Sequence, residues 1–117
     1  MFSYSGSSYS PITTADGLGS NNVYDVYVLG NDRYLATANG VSVYTDTGDD
    51  PGACVNHTTS TGGTTYGVCS DGTLIYAATA NGLSRYDGVS AWDTMISSVK
   101  CNRVRVSGSI VYAATDD

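Results

Sequence analysis

The chain has 117 residues, about one domain's worth of material, and carries a net charge of −6 although only 14% of its residues are charged. All eleven acids are Asp, Lys100 is the single lysine, and Ser, Thr, Gly, Asn and ten tyrosines fill the space that Glu and Lys usually take. That composition removes the material for solvated helix faces and favours strands and tight turns. So acidic a chain is excluded as a nucleic-acid binder, because phosphates need a basic surface. The local cluster Lys100–Arg105 is read as belonging to an inner strand or an interface. No run reaches the length of a membrane span, and Met1-Phe2-Ser3-Tyr4 lacks the basic start and apolar stretch of a signal peptide.

In chain order, Tyr9 to Thr13 reads as a short strand, and Val23 to Leu29 alternates apolar and polar residues as a half-buried strand does. Gly30-Asn31-Asp32 supplies a tight turn, and Tyr34 to Thr37 is a short apolar run suited to a crowded, buried strand. Asn39-Gly40 and Asn81-Gly82 predict hairpins with type I′ turns, which need positive φ at both central residues. Val41 to Tyr44 and Leu83 to Tyr86 follow as third strands, with fourth strands around Cys54-Val55 and from Trp92 to Ile96.

These elements repeat. Val23–Tyr44 aligns without gaps on Thr65–Tyr86 at an offset of 42, with eleven identities in 22 positions that include Ala-Thr-Ala-Asn-Gly. At an offset of 36, Cys101–Asp117 matches Thr65–Asn81, placing Val104 on Val68, Gly108 on Gly72 and Tyr112 on Tyr76. The continuation of that third copy stands at the other end, where Met1-Phe2-Ser3-Tyr4-Ser5-Gly6 overlays Leu83-Ser84-Arg85-Tyr86-Asp87-Gly88. Four strands in about 40 residues is the period of a β-propeller blade.

The stretch Tyr76-Ala77-Ala78-Thr79-Ala80-Asn81-Gly82-Leu83-Ser84-Arg85-Tyr86-Asp87 resembles the blade repeat of two-component-regulator-type propellers. It departs from that repeat where Tyr34, Tyr76 and Tyr112 stand in place of the usual Trp. The resemblance implies a fold and brings no catalytic residues with it.

The expected architecture is therefore all-β: three four-stranded blades per chain within a single domain, 1–117. Residues 1–14 form the C-terminal half of one blade, 15–60 and 61–100 form whole blades, and 101–117 form the N-terminal half of the split one. Three blades cannot close a ring. A twofold dimer of six blades is the favoured solution, in which Met1, Phe2 and Tyr4 of one copy meet Val111, Tyr112 and Asp117 of the other. A threefold ring of nine blades and a part in a larger hetero-assembly are the alternatives. Because Met1 occupies a motif position, the chain is read as a complete gene product.

Catalysis is not expected. His57 is the single histidine, there is no Glu, and no Gly-x-Ser-x-Gly occurs. Asp46-x-x-Asp49-Asp50 and Asp116-Asp117 carry oxygen ligands of the kind calcium takes, yet follow no EF-hand spacing and read as solvated turn carboxylates. Cys54, Cys69 and Cys101 have no CxxC spacing, and a Cys54–Cys69 bridge would join an outer strand to an inner one. Asn56-His57-Thr58 matches a glycosylation acceptor, relevant only in a eukaryotic secretory setting. Tyrosines repeated in every blade read as packing, which leaves Trp92 and Tyr9, on the variable outer segments, as candidates for sugar stacking. No metal or cofactor is expected. The expected function is that of a non-enzymatic structural or attachment protein, homo-oligomeric, in a multi-subunit particle such as a phage virion. Its place would be the virion or the cytoplasm of the producing cell, and its partners copies of itself and other virion proteins. The alternative is a propeller lectin that binds glycans.

Overall fold

The computed structural model describes residues 1–5, 8–46, 53–57 and 59–116. Strands β1 (Phe2–Ser5) and β2 (Ser8–Pro11) form a two-stranded antiparallel sheet. A hydrogen bond of 2.7 Å from the Ile12 amide to the Met1 carbonyl extends their pairing. A 3-10 turn, Thr14–Asp16, follows, capped by the Thr13 side chain. Next, β3 (Val23–Leu29), β4 (Asp32–Thr37), β5 (Gly40–Thr45) and β6 (Ala53–His57) form a four-stranded antiparallel sheet in sequential order. A second such sheet contains β7 (Thr65–Ser70), β8 (Ile75–Thr79), β9 (Gly82–Tyr86) and β10 (Trp92–Ser97). The last pair is β11 (Cys101–Ser107) and β12 (Ile110–Thr115). Among the described residues no helix is long and apolar enough to cross a membrane.

The repeat extends into backbone detail. The register of the first hairpin of each unit shifts between Val23 and Asp25, between Thr65 and Gly67, and between Cys101 and Arg103, which are equivalent points. A bulge of this kind bends the strand and increases its twist. Just beyond each hairpin the same backbone hydrogen bond recurs: Ala38 to Asn22 at 3.1 Å, Ala80 to Thr64 at 2.9 Å and Asp116 to Lys100 at 3.0 Å. Gly30, Gly72 and Gly108 all take positive φ in equivalent turns.

The Asn-Gly hairpins differ from the type I′ turns predicted. Thr37 pairs with Gly40 and Thr79 with Gly82, so the two-residue turns are Ala38-Asn39 and Ala80-Asn81. Gly40 and Gly82 have positive φ, and the asparagines do not. The threonines explain the displacement. Thr37 Oγ1 donates to the Gly40 carbonyl at 3.0 Å and accepts from the Asn39 amide at 3.1 Å, and Thr79 repeats both bonds around Gly82 and Asn81. A side chain bonded to the backbone on both sides of the turn fixes where it falls. The strand predicted at Tyr9–Thr13 also ends earlier, at Pro11, because Ile12 turns into the core and Thr13 caps the 3-10 turn.

The sheets stack face to face. Tyr34, Ala36 and Val41 on one face of the first four-stranded sheet pack against Val68, Ile75, Ala77 and Tyr86 of the second. The alternate residues Leu35 and Tyr44, on its other face, pack beneath Ile12 and Leu18. The far face of the second sheet, with Cys69, Tyr76, Ala78 and Leu83, covers Cys101 and Val104 of the β11–β12 pair. Burial on both faces accounts for the small residues in β4 and β8, since Ala, Ser and Thr let sheets approach closely.

Two repeat positions break the pattern of burial. Val68 and Val104 are fully buried, whereas Val26, expected to match them, is 42% exposed. Tyr34 and Tyr76 are 6% and 5% exposed, whereas Tyr112 is 58% exposed. Val26 lies on the first four-stranded sheet and Tyr112 on the last pair, so each faces outward from one end of the stack, where no further strand covers it.

Candidate functional site

Three features stand out: a charged cluster on the inner strands, a cleft between the two four-stranded sheets, and the two uncovered faces of the stack.

The inner strands β3, β7 and β11 lie side by side, and their cluster is centred on Asp25. Its carboxylate accepts from Arg103 at 2.9 Å, from Arg105 at 3.5 Å and from the Val68 amide at 3.1 Å. The Asp25 side chain is 8% exposed, while both arginines remain about half exposed. Arg105 also donates to the Val68 and Val104 carbonyls, and its guanidinium lies 5.7 Å from the Tyr27 ring centroid. Gly67 makes this reach feasible: a Cβ there would meet the Arg103 Cα at 2.9 Å. The basic residues of 100–105 thus serve an inner strand, as their clustering suggested, with Lys100 over the Tyr66 ring at 4.6 Å.

The cleft has a volume of about 300 Å³. One wall carries Tyr34, Val43, Val55 and His57 from β4, β5 and β6; the other carries Ile75 and Tyr86 from β8 and β9. His57 packs on Tyr86 with ring centroids 4.7 Å apart, and Trp92 lies on Tyr86 at 5.1 Å. Burial lowers the His57 pKa from its usual 6.5, which favours the neutral imidazole. Ser70 and Thr45, which also line the cleft, are committed elsewhere: Ser70 Oγ donates to the Leu74 carbonyl and Thr45 Oγ1 to Asp32. Tyr34 and Tyr86 are 6% and 8% exposed, and their hydroxyls have no hydrogen-bond partner among the described residues.

Of the sugar candidates, Trp92 is half-buried behind Tyr86 and does not line the cleft. Tyr9 lies on β2, in a different sheet, and its side chain is outside the described residues. The cleft was not legible in the sequence, because its walls come from positions some 50 residues apart that also serve as packing residues. The one available signal was that His57 shares the variable segment with the outer strand β6.

Among the described residues, Asp46 pairs with Arg33 at 3.6 Å and Asp116 accepts from Asn102 at 2.6 Å. No group of three potential metal ligands occurs among those residues; Asp49, Asp50 and Asp117 lie outside them. Asn56 of the acceptor sequence uses its amide on the Asn39 carbonyl and accepts from Ser42. All three cysteines are free thiols. Burial raises each of their pKa values, that of Cys69 to about 11.

At the ends of the stack, Val26 and Val28 of β3 form one uncovered apolar strip, and Ile110 and Tyr112 of β12 belong to the other. No protein-family model, curated protein or solved structure matches the chain.

Proposed function

We propose that the chain is a non-enzymatic structural or attachment protein whose sheets are blades of a β-propeller, closed into a six-bladed ring by two copies. One observation carries the proposal: the repeat positions buried inside the stack are exposed only at its two ends. Val68 and Val104 each bury against the preceding sheet, and Val26 lacks such a neighbour. Tyr34 and Tyr76 each bury against the following sheet, and Tyr112 lacks one. The two bare faces therefore complement each other as the internal ones do, and heterologous contacts of this type close into rings when the rotation permits.

The second support is the unpaired edge of β12. In the complete sheet, Ile75 pairs with Tyr86, Tyr76 with Arg85, Ala77 with Ser84 and Ala78 with Leu83. By the repeat, Val111, Tyr112, Ala113 and Ala114 pair with Tyr4, Ser3, Phe2 and Met1 of a second copy. β1 and β2 then complete the blade begun by β11 and β12, and two exposed edges, which would otherwise recruit other chains, are removed.

A binding role rather than a catalytic one is supported by the hydroxyls around His57. Ser70 donates to Leu74 and Thr45 to Asp32, so neither hydroxyl is held by the imidazole as a nucleophile. The resemblance of residues 76–87 to two-component-regulator-type blades agrees with the fold proposed. The setting, a multi-subunit particle such as a phage virion, is proposed from the acidic, Ser/Thr/Gly-rich β composition and the self-assembling ends.

Light scattering tests the closure. The expected mass is twice the 12.1 kDa of one chain. A folded monomer at micromolar concentration would refute the ring. Detecting the protein in purified particles would support the proposed setting, and its confinement to other host fractions would remove it.

A further inference from the structure

The cleft between the two four-stranded sheets lies within one chain and has no part in ring closure. Its volume of about 300 Å³ falls at the small end of the range for ligand pockets, large enough for a single ring-sized group. The occupant can be deduced from the chemistry of the walls. Among the described residues no Asp, Lys or Arg lines the cleft, so a charged ligand would meet no counter-charge from them. Val43, Val55 and Ile75 offer an apolar surface, which suits a group with an apolar face. Yet Tyr34 and Tyr86, both more than nine-tenths buried as residues, present solvent-reachable hydroxyls that have no partner among the described residues. A wholly apolar ligand would take both hydroxyls out of water and leave them unpaired. The ligand must be neutral, have an apolar face and carry its own hydroxyls.

We propose that this cleft binds one neutral sugar ring, its C–H face against Val43, Val55 and Ile75 and its hydroxyls bonded to Tyr34 and Tyr86. His57 closes one side, and burial keeps it neutral there. Trp92 acts as a positioning residue: packed on Tyr86 at 5.1 Å, it holds that ring against the cleft. Val55, 55% exposed, stands at the mouth, which allows a terminal sugar to enter while the rest of the glycan remains in solvent.

The test is an amide-shift NMR titration of the native protein with methyl glycosides of neutral hexoses, alongside glucuronic acid, sialic acid and phenol. A neutral glycoside should shift the amides of Val43, Val55, Ile75 and Gly88. Tyr34→Phe and Tyr86→Phe keep the rings and remove the hydroxyls; each should weaken binding about tenfold, the worth of one hydrogen bond of about 1.4 kcal/mol. Val55→Arg, at an exposed position, should block the mouth without loss of fold. The proposal is overturned if no neutral glycoside shifts these amides, if phenol or an acidic sugar binds more tightly, or if both Phe variants bind as well as the native chain. Because the cleft is intramolecular, sugar binding by a monomer would refute the ring and leave this site intact.

Discussion

Thr37 and Thr79 each secure a hairpin with one hydroxyl that donates to a glycine carbonyl and accepts from an asparagine amide. Both threonines are fully buried, so removing the hydroxyl strands two backbone groups at once. Thr79→Val should therefore lower stability by about 2 kcal/mol in urea denaturation, and Thr37→Val by less, since the Thr79 hydroxyl also shares a hydrogen bond of 2.7 Å with Thr61. Acid sensitivity has an equally local origin. The Leu74 and Thr73 amides hold the Asp71 pKa below its usual 3.8, and the Ala91, Val89 and Ser90 amides do the same for Asp87. A carboxylate with a lowered folded-state pKa stabilises the fold above its unfolded pKa, and this contribution disappears as the pH falls through the folded value. Urea midpoints should thus decline below about pH 4, and the decline should be shallower in Asp71→Asn and Asp87→Asn.

The strands were largely legible, because their boundaries follow local chemistry. Val23–Leu29 was read from alternation alone, and the Gly30 and Gly72 turns from residues that tolerate positive φ. The hairpin geometry was misread because the Asn-Gly pair outweighed the threonine beside it, whose effect depends on a hydroxyl folding back to the main chain. Burial was read by assuming that equivalent positions have equivalent neighbours. That holds for Val68 and Val104 and fails for Val26, which no further strand covers. The contrast is measurable. Val68→Ala should cost about 2 kcal/mol or more through the cavity it leaves. Val26→Ala leaves no internal cavity, and its effect should appear as weakened association of copies in a dilution series followed by light scattering.

At the scale of the molecule, the cleft and the inner charge cluster could not be read from the sequence, since each unites side chains from separate repeats. Gly67 occupies the repeat position that Asp25 holds in the first unit. In the fold the two differences answer each other: the glycine leaves room over the middle inner strand, and the aspartate reaches Arg103 and Arg105 across it. This bond links the first and third units directly and so sets the angle through which the chain bends. In the proposed ring, the angle per unit would determine how many units complete the circle, and hence how many chains it takes. Gly67→Ala, which drives a Cβ against the Arg103 backbone, should open the arc. In native mass spectrometry the population should then move from two chains toward three, and Asp25→Asn should broaden the distribution. Ring size would in this way be controlled by curvature within a single chain, at a point remote from the surfaces where the chains meet.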